Sequence, residues 1–402
     1  MLIWHWMTDR EAAFEELARR YEKATGVKVS FELFAPSDAY SQKVRAAAQG
    51  GNLPDIFGIL GEKQDLASFI KAGHILELSS FMQAEGGSWR KSFVPKALAL
   101  NEFSAGNGYG VNPGIYAVPI DIMTIQMVYN KELFKQLGLD AEQPPRTFED
   151  FLNIGAKLKT AKMQGLVSGW GEVWMVNCLA NNYAFNIMGR DKVLATIRGE
   201  LPYTDTDWIK VLGLFKEMRD SGVLADGVVT MINKNAEQLF ANGKAVFAFN
   251  GSWGVNVYKG MNPGLDYGVM LPPRASDKYP MSIWGGAGSS FMVNARSGNK
   301  EEAVKFLQWL TAKDQQAYLS GATMSLPANQ DCLAGVPAAL AQFARDVEFS
   351  THPYTWGVSE YPQVTEAMGK GIQSILIGEK TPEVVASEVQ KIKERLTARH
   401  KQ

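Results

Sequence analysis

Six tryptophans stand where a side chain could meet a ligand. Trp6, Trp170, Trp174, Trp253, Trp284 and Trp356 lie at the expected ends of strands and helices, mostly among Gly, Asn, Ser or Glu. The other four, Trp4, Trp89, Trp208 and Trp309, fall inside strand or helix patterns, where core packing is the expectation. A flat indole face beside hydroxyl and carboxylate groups suits a molecule with apolar C–H faces and many equatorial hydroxyls. A sugar is such a molecule. Ring contacts of defined geometry add about 0.5–1.5 kcal/mol each beyond the area they bury. Carboxylates accept hydroxyl protons in charge-assisted hydrogen bonds.

Asp38, Asp55, Glu62, Asp121 and Glu172 are the carboxylates nearest expected strand ends or crossovers. Structural roles compete for three of them: a helix cap for Asp38, a turn for Asp55 and solvated surface for Glu62. Asp121 and Glu172 are the stronger candidates for facing a ligand. The same two could serve a glycoside hydrolase as acid and nucleophile, which needs a separation of about 5–5.5 or 6.5–9.5 Å. No catalytic signature accompanies them, for the chain has no Walker loop, HExxH, CxxC or GxSxG. Gly286-Ala287-Gly288 precedes a strand instead of opening a helix, which is wrong for a dinucleotide loop. Asn250-Gly251-Ser252 matches a glycosylation sequon and is read as a turn.

Composition removes other chemistries. Two cysteines, Cys178 and Cys332, and four scattered histidines exclude a disulfide-dense scaffold and argue against a metal cluster. No cofactor is expected. Lys+Arg number 41 and Asp+Glu 42, so no strong global field draws in nucleic acid. A cationic ligand would want more clustered carboxylates, and a phosphate would want arginine or a helix N-terminus. Arg10, Arg90 and Arg274 leave an acidic sugar open.

The elements that must position these residues are readable from periodicity. At 402 residues the chain exceeds what one core usually organises, so two domains are expected. Leu2-Ile3-Trp4 reads as a buried strand, and Thr8 or Asp9 as the cap of a helix carrying Phe14, Leu17, Ala18 and Tyr21 on one stripe. Gly26 ends that helix. Val27, Val29, Phe31 and Leu33 alternate as a strand. A helix over 38–49, a strand over 55–60 and a helix stopped by Gly73 follow. Such alternation yields a mostly parallel sheet with ligands at the carboxyl ends of its strands. That rule directs attention to His5 and Trp6, to Ala35 through Tyr40, and to Gly58 through Lys63.

Further on, residues 124–130 and 246–249 read as strands, and 148–158, 208–218 and 300–311 as helices, with Thr147 as a cap. Residues 165–182 read as a polar, aromatic segment. From Asp314 onward helices predominate, with a basic, frayed end. No apolar run is long enough to span a bilayer. Met1 leads directly into Leu-Ile-Trp-His-Trp with no signal segment, which fits a cytoplasmic protein or, the favoured expectation, a trimmed exported chain given a start methionine.

Several of these stretches, in this order, resemble the family 1 extracellular solute-binding proteins. They are Tyr21-Glu22-Lys23-Ala24-Thr25-Gly26-Val27-Lys28-Val29, Leu53-Pro54-Asp55-Ile56, and Ala117-Val118-Pro119-Ile120-Asp121 through Val128-Tyr129-Asn130-Lys131-Glu132-Leu133-Phe134. Asn250-Gly251-Ser252-Trp253 and Asn299-Lys300-Glu301-Glu302-Ala303 through Phe306-Leu307 complete the series. The resemblance implies an α/β, two-lobe, periplasmic-binding-protein-like fold. Each lobe would be a mostly parallel sheet flanked by helices, with a sugar or oligosaccharide in a cleft between lobes that close by a hinge. It places the lobes at 1–121 plus 275–315 and 122–274 plus 316–402. It also implies a monomer that does no chemistry on its ligand and delivers it to the transmembrane permease subunits of an ABC transporter. The setting would be the periplasm or, lipid-anchored, the outer face of the cell membrane.

Carried residue by residue, the resemblance puts His5, Trp6, Asp38, Tyr40 and the Gly58 to Glu62 segment on the first lobe, with Asp121 at the crossover. Trp170, Glu172, Trp174 and Trp253 form the second-lobe wall, Trp284 and Gly286 enter from the returning segment, and Trp356 reaches in from a late loop. The aromatic that maltose-binding members carry after the third strand is replaced here by Gly58-Ile59-Leu60. Maltose is therefore not the expected ligand.

Overall fold

The computed structural model describes residues 1–35, 37–60, 63–286 and 288–400, and for Ser37, Asp38, Tyr354 and His400 the backbone alone. The chain divides into two compact units: Met1–Met123 with Gly286–Arg345, and Thr124–Gly285 with Asp346–Gln402. The chain thus changes unit at 123/124, 285/286 and 345/346, where 121/122, 274/275 and 315/316 were expected. The largest difference is the stretch 316–345, which stays with the first unit because strand Leu326–Pro327 pairs with Asp121–Ile122.

In the first unit, strand Leu2–His5 is flanked in parallel by Ser30–Leu33 and Ile56–Phe57. The returning strand Ser290–Val293 then joins antiparallel to Ile56–Phe57, and Val118–Pro119 closes the sheet antiparallel to it. The sheet is therefore mixed and not mostly parallel, since a strand that returns from the other unit owes nothing to a βαβ crossover. Helix Glu11–Thr25 buries Phe14, Leu17, Ala18 and Tyr21 as its stripe required, and Gly26 ends it at φ 77°. Thr8 and Asp9 do not cap it. Thr8–Arg10 forms a 3₁₀ turn with no side-chain cap, and the Arg10 side chain reaches Asp121. The core joins Ile3, Phe14, Leu17 and Ile56 to Phe291, Val293, Phe306 and Leu307. Each such side chain contributes about 1.5–3 kcal/mol by leaving water.

In the second unit, strand Thr124–Asn130 is central and wholly buried. It pairs antiparallel with Ala245–Gly251 on one side, and with Tyr267–Met270 and Ile283–Gly285 on the other. Parallel pairs lie further out, Gln164–Ser168 on Ala245–Gly251 and Ser350–Thr351 on Ile283–Gly285. This sheet too is mixed.

Residues 165–182, the polar, aromatic segment, take regular structure over most of their length. They form the end of strand Gln164–Ser168 and the start of helix Val173–Arg198. The helix looks polar because its buried face carries asparagines that bond to neighbouring backbone. Asn177 Nδ2 donates to the Thr365 carbonyl, and Asn186 binds the backbone of Ala275, Ser276 and Tyr279. Helix Phe148–Ala161 is capped by Thr147, whose hydroxyl accepts the Asp150 N–H at 3.1 Å. The C-terminal helix Pro382–His400 is tied down part-way along its length. Lys393 is buried on it and donates to the Thr196 and Ile197 carbonyls and to Glu360. Among the described residues no helix is long and apolar enough to cross a membrane.

Candidate functional site

The second unit carries a pair of tryptophans wired to carboxylates. Strand Ala245–Gly251 ends in Asn250-Gly251-Ser252-Trp253, where Ser252 N–H bonds back to the Thr124 carbonyl at 2.9 Å. That turn delivers the half-buried Trp253 beside Trp174 of helix Val173–Arg198, with ring centroids 6.2 Å apart at 45°. Trp174 is 45% exposed, the most open of the ten tryptophans. Its Nε1 donates to Glu172 at 3.0 Å, and Trp253 Nε1 donates to Glu237 Oε1 at 3.0 Å.

Asn233 joins the two carboxylates. Its backbone N–H donates to Glu172 Oε1 at 2.7 Å and its Nδ2 to Glu237 Oε1 at 2.8 Å. Asn250 Nδ2 adds a third bond to Glu237 at 3.1 Å and a further one to the Tyr258 hydroxyl at 3.0 Å. Burial pushes the Tyr258 phenol well above its ordinary range, so it stays protonated. Each indole is thus locked at its N–H edge and offers its face. Exposed Ile232 lies next to Asn233 in the chain.

A second aromatic group in the same unit centres on half-buried Trp284, at the strand Ile283–Gly285. Its ring lies 5.2 Å from His352 and 6.3 Å, edge to face, from Trp356. Trp284 therefore belongs to the second unit, not to a returning first-lobe segment. Trp356 is buried behind it, packed on Phe185 with Nε1 bonded to Thr351 Oγ1 at 2.8 Å. It supports Trp284 and presents no open face. Trp170, expected on the same wall, has no exposed surface and packs edge-on to Phe215. It is a core residue.

Of the first-lobe residues expected at the site, Trp6 is the partly open aromatic. Trp6 is half-buried, 5.2 Å from the Tyr40 ring, and lies over Gly58, where a Cβ would stand 2.2 Å from its Cζ3. Tyr40 is buried. Its hydroxyl accepts the Gly58 N–H at 2.9 Å and faces the carbonyls of Gly58 and Trp4, so it holds two strands together. His5 is likewise buried, packed between Phe14 and Phe31, and burial together with Arg10 lowers its pKa to about 4. Its imidazole is thus neutral and enclosed by the core.

Asp121 is also internal. It accepts from the Arg10 guanidinium and the Ser289 N–H, and burial pushes its carboxyl up against the pull of Arg10. Asp55 is a joint, taking Leu2 N–H at 2.8 Å and the Ser297 and Asn299 side chains. Gly286 donates its N–H to the Met123 carbonyl at 2.9 Å. The Asp38 side chain and Glu62 lie outside the described residues. No group of three or more metal-ligating side chains occurs among the described residues.

Asn233 and Glu237 were not singled out from sequence. One signal existed: helix Asn233–Ala241 buries Ala236, Phe240 and Ala241, and Glu237 falls on that apolar face. A carboxylate there needs partners.

A family model described as bacterial extracellular solute-binding protein matches residues 16–351. The chain belongs to that family. Its solute-binding relatives include a maltooligosaccharide ABC transporter solute-binding lipoprotein of Streptococcus pneumoniae, 26% identical over 79% of this chain and 69% of that one. Another is the sn-glycerol-3-phosphate-binding periplasmic protein UgpB of Escherichia coli, 28% identical over 66% of this chain and 63% of the other. Among solved structures, a chitin oligosaccharide binding protein is 25% identical, covers 98% of each chain and superposes with a TM-score of 0.78. As a solute-binding protein the chain is a member of a family of binders, not of enzymes.

Proposed function

We propose that this solute-binding protein captures a sugar or oligosaccharide by stacking its rings on Trp174 and Trp253, and hands it to the membrane subunits of an ABC importer. The observation that carries the reading is an exposed tryptophan beside a half-buried one, both held by carboxylates at their N–H edges. Packing of a Trp174 face that is left open to water is worth little without a partner, whereas a pyranose C–H face would cover it. The relative named for maltooligosaccharides and the structure named for chitin oligosaccharides support the same ligand class. Trp284, half-buried in the same unit, is the further ring contact. The protein works outside the cytoplasm as a monomer, in the periplasm or held by a lipid anchor. The hydrolase alternative would need another carboxylate in place of Asp121, whose oxygens are held by Arg10 and Ser289.

Titration with raffinose, maltotriose, cellotriose and chitotriose, followed by tryptophan fluorescence and calorimetry, tests the proposal. One of them should bind with a micromolar Kd, about −8 kcal/mol. Silence in both signals across the panel, or tighter binding of sn-glycerol 3-phosphate than of any sugar, would overturn it.

A further inference from the structure

The tryptophan pair has a charge as well as a shape. Glu172 receives only the Asn233 backbone N–H and the Trp174 indole N–H. Glu237 receives the Trp253 indole and the amides of Asn233 and Asn250. All these donors are uncharged. Neither glutamate takes part in an ion pair among the described residues. Lys234, the nearest cation along the helix, is exposed and bridges to neither. Two negative charges therefore remain at the edges of two rings whose faces are themselves the negative side of a quadrupole.

Resting on the sugar reading above, we infer that this surface selects uncharged hydroxylated rings over rings bearing a carboxylate or phosphate. Glu172 and Glu237 are the specificity-determining residues. Hydroxyl groups gain from nearby acceptors, whereas an anion meets two like charges and no counter-ion. For a carboxylate about 6 Å from each glutamate, two unit-charge repulsions at bulk-water screening lower affinity about tenfold.

The test takes the tightest-binding sugar of the panel, oxidises its primary alcohols to carboxylates, and compares that acid with its methyl ester. The two share a skeleton and differ in charge. Wild-type protein should bind the ester about tenfold more tightly than the acid, and the ratio should fall to about threefold or less in Glu172→Gln. A ratio within one protein cancels any general weakening of binding. Glu237→Gln repeats the measurement at the more buried site, and raising the salt concentration should shrink the wild-type ratio if no variant folds. Equal affinity for acid and ester overturns charge selection, and an unchanged ratio in Glu172→Gln and Glu237→Gln overturns its assignment to these residues. Failure of every neutral sugar to bind is a different result, which removes the sugar reading and this inference with it.

Discussion

The indole of Trp253 lies directly against the α-carbon of Gly251, so closely that a Cβ at 251 would stand 1.9 Å from Cζ3. Glycine is required there by the ring, and the ring keeps its place through Glu237. Gly251→Ala should push the indole off its position and break the Trp253–Glu237 bond. A shift in tryptophan emission and at least a tenfold loss of sugar affinity are expected, about 1.4 kcal/mol or more. Unaltered emission together with unaltered affinity would show that the ring is free to move aside.

Trp174→Ala and Trp170→Ala should separate recognition from packing. Trp174 is 45% exposed, so its removal should lower sugar affinity about tenfold while costing about 1 kcal/mol or less of stability. Trp170 is fully buried, and its truncation should cost about 3–5 kcal/mol of unfolding free energy. Calorimetric titration and denaturant melts measure the two quantities side by side. The reverse pattern would reassign both residues.

His5 makes stability depend on pH. Its folded pKa is lowered to about 4 from 6.5, by burial first and the Arg10 charge second. Between those values the unfolded chain binds more protons than the folded one. Stability should therefore decline as pH falls from 6.5 to 4 and gain no further His5 contribution below that, for a total of about 3 kcal/mol from this group. In His5→Leu that share of the decline should vanish, as read from urea melts across the window. Parallel curves for the two proteins would rule the assignment out.

Lys393 anchors the C-terminal helix. Its ammonium joins two carbonyls at the end of helix Val173–Arg198 to Glu360, which Tyr203 also contacts at 2.7 Å. Lys393→Ala leaves Glu360 without its cation in a mostly buried place and should destabilise by about 3–5 kcal/mol. Tyr203→Phe removes one hydrogen bond to that carboxylate and should cost about 1–3 kcal/mol. A thermal melt in which Tyr203→Phe is the more damaged protein would contradict this ordering.

Local periodicity revealed most of the elements, and failed where a distant partner decided the outcome. The stripe of Phe14, Leu17, Ala18 and Tyr21 and the Thr147 cap depend on neighbours a few residues away. Arg10 leaves the start of its helix for Asp121, and Asn186 serves a loop 90 residues on, so neither role has a local pattern. The first sheet became mixed for the same reason, because its reversing strand Ser290–Val293 arrives from the far end of a crossing. Among the tryptophans, sequence context could flag an element end but not which way a ring turns there. Trp174 points to solvent while Trp170, four residues earlier, is sealed against Phe215.

The returning strand Ser290–Val293 sits between Ile56–Phe57 and Val118–Pro119. During synthesis, then, the first 123 residues emerge with a gap in the middle of their sheet. The edge of Ile56–Phe57 must wait unpaired until more than 160 further residues have been translated. The second unit is in the same position, lacking Ser350–Thr351 and the C-terminal helices until the chain is nearly finished. Neither unit can be completed before the ribosome is well past the other's first segment. A nascent chain of this topology carries an open strand edge for most of its synthesis, the kind of edge that invites pairing with another chain.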